Sequence, residues 1–148
     1  MKQKSEKIVV VGGGNYAKIV ISILKKINSF EIVGYTDKKN RGKILDINYL
    51  GDDSVLKKLL IESNIKLAAI GVGQLQNADI KKKIVLALKE IGYTFPTIIS
   101  PTAVVNEEVL IGEGTIIRDN AVISTSTKIG KFTIIGTSVN ISYNTTIG

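Results

Sequence analysis

The stretch IGEGTIIRDNAVISTSTKIGKFTIIG, residues 111–136, repeats one pattern every six positions. An isoleucine opens each hexad, and a small or β-branched residue usually occupies the fifth position. The same step of six runs through the second half of the chain, where an aliphatic residue recurs at Ile99, Val105, Ile111, Ile117, Ile123, Ile129, Ile135, Ile141 and Ile147. A plain sheet repeats every two residues and a helix every 3.6, so neither accounts for this period.

A hexad with an aliphatic residue first and a small residue fifth predicts a parallel β-helix, in which three hexads form one coil. The fifth positions are filled by Ala103, Val109, Thr115, Ala121, Thr127, Thr133, Val139 and Thr145. We expect each opening aliphatic residue to point into the narrow interior and to stack on its equivalent three hexads away. The small fifth residue would leave room where the walls meet.

The first half of the chain has a different rhythm. Residues 7–11 form a short, continuously apolar run, which suits a strand buried in a parallel sheet, and residues 30–37 and 66–73 are two further strand candidates. Apolar residues at helical spacing follow them, within residues 20–27, 55–60 and 80–91. The alternation predicts a small Rossmann-like parallel α/β domain in residues 1–97, followed by the all-β helix of hexapeptide repeats in residues 98–148.

Composition limits the chemistry. The chain of 148 residues has neither cysteine nor histidine, which excludes disulfides, thiolate catalysis and most zinc sites, and we expect no metal. The net charge of +7 comes largely from lysines scattered over helical faces, and aromatic residues are few, so nucleic acid is not expected as a partner. Neither a membrane span nor a secretory signal is visible, which favours the cytoplasm.

A glycine-rich turn follows the first predicted strand. It reads GGGNYAK, and Gly12, Gly14 and Ala17 match the pattern G-x-G-x-x-A. Glycines let a phosphate approach the backbone, and the N–H groups at the start of the next helix attract it. We therefore predict that this turn, which runs from Gly12 through Gly13, Gly14 and Asn15 to Tyr16, binds a phosphate or a nucleotide, the alternative being a merely tight turn.

Two further candidates stand at the ends of the other predicted strands. Asp37 ends the second strand and could accept hydrogen bonds from a ribose or a base, or could simply cap a loop. Gly71 and Gln74 belong to GVGQ, which ends the third strand. Ligands of open parallel sheets bind beyond that edge, so these residues would face the same crevice unless the segment is only a turn.

The two halves, in this order, resemble the bacterial sugar O-acyltransferases of the sialic acid O-acetyltransferase type. That family includes N-acetyltransferases of nucleotide-linked 4-amino sugars. The resemblance covers the whole chain and is carried by VVVGGGNYAKIVISIL (9–24), GYTD (34–37), AAIGVGQ (68–74), DIKKKI (79–84), GYTFPTIISPTAVV (92–105) and IIGTSVNISYNTTIG (134–148).

The resemblance implies a fold, ligands and an assembly. It implies that the first domain holds a nucleotide-activated sugar at the glycine turn and at Asp37. It also implies that the β-helix is left-handed and forms a homotrimer, with acetyl-CoA bound between neighbouring subunits. A basic residue that follows the third strand in the family falls on Lys81.

The chain departs from the family at its catalytic positions. The catalytic histidine of the family falls on Tyr143, and the acidic residue that orients it falls on Ser142. Tyr16 and Ser100 also stand where the family has histidines. A tyrosine with an ordinary pKa near 10 is a poor base. Tyr143 is therefore an inert occupant of a degenerate site, a base with a strongly depressed pKa, or a donor that positions a nucleophile activated by another group.

The repeat also ends early, after two coils and most of a third, where the family continues with further coils. We therefore expect an acetyltransferase of a nucleotide-linked sugar, or an inactive fragment of one. The alternative is a non-catalytic module for nucleotide-sugar binding or assembly. A nicotinamide-dependent enzyme is a third reading, although three parallel strands make only half of a dinucleotide fold.

Overall fold

The computed structural model of the protein describes residues 4–73 and 78–148. The chain divides into two compact units, Met1–Phe95 and Pro96–Gly148. This division lies two residues before the boundary predicted between residues 97 and 98. Within the described ranges, no helix is both long enough and apolar enough to cross a membrane.

The first unit is a parallel sheet with intervening helices. In the described residues it contains strands β1 (Glu6–Val11), β2 (Phe30–Thr36), β3 (Tyr49–Gly51) and β4 (Leu67–Ile70), and helices α1 (Asn15–Lys26), α2 (Val55–Ser63) and α3 (Ala78–Ile91). The strands are parallel and lie in the order β3-β2-β1-β4. The predicted Rossmann-like α/β fold is therefore confirmed.

The direction of winding changes beside β1. From β1 the chain passes outward to β2 and β3, then returns through α2 to place β4 on the opposite side of β1. Residues 8–11 of β1 are completely or almost completely buried, as expected for a central parallel strand. In sheets of this kind, the reversal opens a crevice at the carboxyl ends of the strands, here between β1 and β4.

The sequence patterns missed the short edge strand β3. Its three residues are all half-buried, and it pairs with β2 through Tyr35 opposite Tyr49 and Thr36 opposite Gly51. A strand this short carries no readable alternation. β3 matters for function because it brings the residues that follow Gly51 to the same edge of the sheet as the glycine turn.

The second unit consists of very short strands joined by turns. They are β5 (Ile98–Ile99), β6 (Val104–Val105), β7 (Leu110–Ile111), β8 (Ile116–Ile117), β9 (Val122–Ile123), β10 (Lys128–Ile129), β11 (Ile134–Ile135), β12 (Asn140–Ile141) and β13 (Thr146–Ile147). Every third strand pairs in parallel, giving sheets β5-β8-β11, β6-β9-β12 and β7-β10-β13.

The strand register confirms the predicted coil. Ile117 lies opposite both Ile99 and Ile135, each three hexads away. The opening aliphatic residues of all the hexads belong to one core, either as buried members or packed against them. The unit is the left-handed parallel β-helix that the repeat and the family resemblance predicted.

The β-helix also shows two features that the repeat alone did not predict. From residue 108 onward the fourth hexad position has a positive φ, at Glu108, Gly114, Asn120, Ser126, Phe132, Ser138 and Asn144. In addition, two buried threonines in the fifth position form hydrogen bonds between coils through their hydroxyl groups. Thr115 Oγ1 donates to the carbonyl of Gly130 at 2.7 Å, and Thr127 Oγ1 donates to that of Ser142 at 3.2 Å.

Candidate functional site

A pocket of about 300 Å³ lies at the carboxyl ends of the strands of the first unit. Every strand of the sheet contributes to it through the segment that follows. Its lining includes Gly12–Tyr16 after β1, Thr36–Lys38 at the end of β2, Asp53 after β3 and Gly71–Gly73 after β4, together with Ile80 and Ile84 from α3. The pocket therefore occupies the crevice that the reversal of strand order creates.

The glycine turn requires glycine at Gly12 and Gly13. Gly12 has a φ of +105°, which side chains rarely adopt. A Cβ on Gly13 would lie 2.5 Å from Tyr35 Cε2 and 2.9 Å from Asp37 Oδ2. Without side chains, this turn can pack directly on the end of β2 and leave its backbone open to the pocket.

Asp37 ties the glycine turn to the loop that follows β2. Its Oδ2 accepts a hydrogen bond from Gly13 N at 3.0 Å and another from Arg41 Nε at 2.9 Å. Its Oδ1 accepts a longer bond from Lys39 N, at 3.4 Å. The carboxylate therefore serves two backbone segments and one cation.

These contacts keep Asp37 ionised. Burial opposes ionisation, but hydrogen bonds from Arg41, Lys39 N and Gly13 N, with the positive charge of Arg41, outweigh it and lower the pKa of the carboxyl group. The pocket consequently carries a fixed negative charge at the end of β2.

Two tyrosines hold the loop after β2 in place. Tyr35 is fully buried, and its hydroxyl donates to the carbonyl of Gly42 at 2.7 Å while accepting from Arg41 N at 3.1 Å. Tyr49 donates its hydroxyl to the carbonyl of Asp37 at 3.0 Å. The two rings lie 5.5 Å apart. The loop that carries Asp37 and Arg41 is therefore anchored on both sides.

Asp53 is a pocket residue that the sequence analysis did not identify. Its Oδ1 accepts a hydrogen bond from the buried Thr36 Oγ1 at 3.0 Å, and it lines the pocket. Thr36 and Asp53 are 17 residues apart and become neighbours only because β3 pairs with β2. A readable β3 would have been the signal that placed Asp53 at this edge.

Most of the predicted residues of the first unit converge on this pocket. Gly12, Gly13, Gly14, Asn15, Tyr16, Asp37 and Gly71 all line it. Gln74 lies outside the described residues. Lys81 is not among the lining residues: it lies in α3 with 6% of its surface exposed, and burial lowers the pKa of its ammonium group. The functional roles assigned to these residues remain predictions.

The predicted catalytic positions lie in the second unit, in the turn between β12 and β13. The side chain of Tyr143 is 76% exposed. The Ser142 carbonyl accepts hydrogen bonds from Thr127 Oγ1 and, at 2.7 Å, from Thr145 Oγ1. The backbone of Ser142 thus serves the coil structure, while Tyr143 projects into solvent. Their catalytic roles remain predictions.

Solved structures include close matches in fold. A histidine-to-asparagine mutant of perosamine N-acetyltransferase from Caulobacter crescentus, in complex with CoA and GDP-perosamine, is 26% identical with a TM-score of 0.83. The match covers 91% of this chain and 62% of that one. PerB from the same organism, in complex with the same ligands, is 25% identical with a TM-score of 0.82, and the match covers 95% of this chain and 63% of that one. This chain therefore spans less than two thirds of these relatives.

The acetyltransferase domain of PglB from Neisseria gonorrhoeae shares the fold at 21% identity. Its TM-score is 0.82, and the match covers 96% of this chain and 69% of that domain. Among curated protein sequences, none matches the chain significantly.

The glycine-turn α/β unit and the left-handed hexapeptide β-helix of this chain both match these acetyltransferase structures in fold, and this confirms the resemblance seen in the sequence. More narrowly, the chain belongs to the PglD N-terminal domain family, whose model matches residues 7–88. The matched residues contain the glycine turn, Asp37, Asp53 and Gly71, so they include the polar lining of the pocket.

Proposed function

We propose that the first unit binds a nucleotide-activated sugar and that the chain serves an acetyl-CoA-dependent acetyltransferase acting on that sugar. The observation that carries the proposal is the pocket at the reversal of strand order, lined by the glycine turn and Asp37. The relatives from Caulobacter crescentus, which share both units, bind CoA and GDP-perosamine.

The pocket accommodates the parts of such a ligand in a definite order. The diphosphate would lie at the glycine turn, where backbone approaches closely and the N-terminus of α1 provides a favourable dipole. The ribose would lie towards Asp37, which accepts hydrogen bonds from hydroxyl groups. The sugar would then extend towards Gly71–Gly73 at the end of β4.

The reaction itself is acyl transfer. An amine or hydroxyl of the sugar attacks the thioester carbonyl, the C–S bond breaks, and CoA leaves as a thiol after the proton of the nucleophile has been transferred to it. This step needs a base for the nucleophile and hydrogen-bond donors for the tetrahedral oxyanion. We assign these roles to the β-helix of the assembled enzyme, with acetyl-CoA between subunits of a homotrimer in the cytoplasm.

One observation favours a second candidate, a module that binds the nucleotide sugar or supports assembly without catalysis. The chain contains no histidine, and Tyr143, at the position of the catalytic histidine in the family, is 76% exposed. An exposed side chain in a turn has little around it to activate it as a base.

Mass spectrometry distinguishes the two candidates. The purified chain is incubated with acetyl-CoA and a panel of nucleotide-linked amino sugars, and an acetyl mass increment on the sugar is sought. Transfer that is lost in Tyr143→Phe supports catalysis through this hydroxyl. Binding of a nucleotide sugar without transfer supports the module. Absence of both binding and transfer contradicts the proposed function.

A further inference from the structure

The order of the strands, together with the ligand placement proposed above, gives the direction in which a nucleotide lies in the pocket. The glycine turn at the end of β1 has the end of β4 on one side and, on the other, the end of β2 with Asp37 and then that of β3, which Asp53 follows. With the diphosphate at the turn and the ribose towards Asp37, the next group of the ligand meets the end of β3. This group is the nucleobase.

Asp53 is the acidic side chain at that end of the pocket. Thr36 Oγ1 donates to its Oδ1, which fixes the orientation of the carboxylate. Among the described residues, its Oδ2 has no hydrogen-bond partner. Asp37 differs, because Gly13, Arg41 and Lys39 already donate to its two oxygens. Of the two carboxylates, Asp53 has the greater capacity to accept hydrogen bonds from a ligand.

A carboxylate accepts hydrogen bonds and does not donate them, so it discriminates between bases by their donors. Guanine presents N1–H and the N2 amino group side by side. Uracil and thymine present one N3–H between two carbonyl oxygens, which a carboxylate repels. Adenine places its amino group beside a ring nitrogen that is itself an acceptor. Guanine is therefore the base whose edge fits a carboxylate best.

Resting on the proposed function, we infer that the nucleotide carried by the sugar is a guanosine diphosphate and that Asp53 selects its base. The relatives that share both units and bind GDP-perosamine agree with this choice. Asp53 is a specificity-determining residue in this account, and it takes no part in acyl transfer.

The test uses calorimetry on the full chain with GDP, UDP, dTDP, ADP and xanthosine diphosphate. We expect GDP to bind about tenfold or more tightly than UDP, dTDP or ADP, as one bidentate base contact allows. Asp53→Asn keeps an oxygen for Thr36 but offers an amide N–H₂ to the base. It should weaken GDP binding by about tenfold and strengthen binding of xanthosine diphosphate, whose base carries a carbonyl in place of the N2 amino group.

Asp52→Asn is the matched control, because Asp52 is the neighbouring carboxylate that accepts hydrogen bonds from Ser54 and does not line the pocket. This control variant should leave the affinities for GDP and for xanthosine diphosphate unchanged. Tighter binding of UDP, dTDP or ADP than of GDP overturns the inference while leaving the proposed nucleotide site intact. The inference is also overturned if Asp53→Asn weakens the binding of every nucleotide equally. If no nucleoside diphosphate binds, the proposed function itself fails.

Discussion

At the residue scale, Gly13 is the residue of the glycine turn at which an added Cβ would lie closest to a neighbouring atom. Replacing it by alanine would push a methyl group to 2.5 Å from the Tyr35 ring, which is fully buried and cannot retreat freely. We expect Gly13→Ala to cost about 1–3 kcal/mol in the free energy of unfolding and to weaken nucleotide binding. Urea unfolding and calorimetry measure the two effects.

Gly14→Ala is the control for the stability effect of Gly13→Ala. A Cβ at Gly14 meets no heavy atom within 4 Å, and the residue has an ordinary φ of −81°. Its stability should stay within about 0.5 kcal/mol of the wild type. Equal losses in the two variants would show that the contact of Gly13 with β2 is not what the turn requires.

Asp37 gives a prediction on pH. Its pKa is lowered in the folded state, so its contribution to stability is present above the pKa of the unfolded chain, near 4, and is lost as the pH falls through the lower folded value. Asp37→Asn lacks this contribution at every pH. Urea midpoints measured from pH 7 to pH 3 should therefore converge between wild type and variant in acid. A constant difference would contradict the assigned hydrogen bonds.

The residues of the glycine turn were predictable because the motif is local. Gly12, Gly14 and Ala17 follow a strand and open a helix, and the physical reason for each lies within a few positions of the chain. Asp53 was not predictable as a pocket residue, because its neighbour Thr36 is reached only through pairing of β2 with a three-residue strand. Long-range neighbours of this kind leave no periodic signal.

At the scale of elements, the stacked aliphatic residues stabilise the β-helix. Ile123 is fully buried and stands between Val105 and Ile141 in the register of its sheet. Ile123→Ala removes contacts on both sides and leaves a cavity, which should cost about 2–5 kcal/mol of stability. Unfolding in urea, followed by far-ultraviolet circular dichroism, measures the loss.

Leu110→Ala provides the comparison for Ile123. Leu110 belongs to another hexad strand but is 62% exposed, so truncating it should change stability by less than about 0.5 kcal/mol. Similar losses for Leu110 and Ile123 would contradict the interior stacking of the opening aliphatic residues.

The elements differed in how well the sequence predicted them. The β-helix was predictable in register, because its period of six applies at every coil and the side chains that obey it form the core. The positive φ of the fourth hexad position was not, because Glu108, Ser126 and Phe132 are not residues that usually signal a left-handed conformation. There the coil geometry overrides local preference.

At the scale of the whole molecule, the central proposal is that the α/β unit of this chain binds a nucleotide-linked sugar. The reversal of strand order, the glycine turn and the ionised Asp37 all meet in one pocket. A nicotinamide dinucleotide also carries a diphosphate that a glycine turn of this kind can bind. The affinities of the chain for the nucleotide sugar and for NAD must therefore be compared.

Calorimetric titration of the full chain tests this claim most directly. The ligands are a GDP-linked 4-amino sugar, the same amino sugar without its nucleotide, and NAD. We predict saturable binding of the nucleotide sugar, weaker binding of NAD, no binding of the free sugar, and loss of nucleotide-sugar binding in Gly13→Ala but not in Asp52→Asn, whose site does not line the pocket. Failure to bind nucleotide-linked sugars, or tighter binding of NAD, would contradict the account.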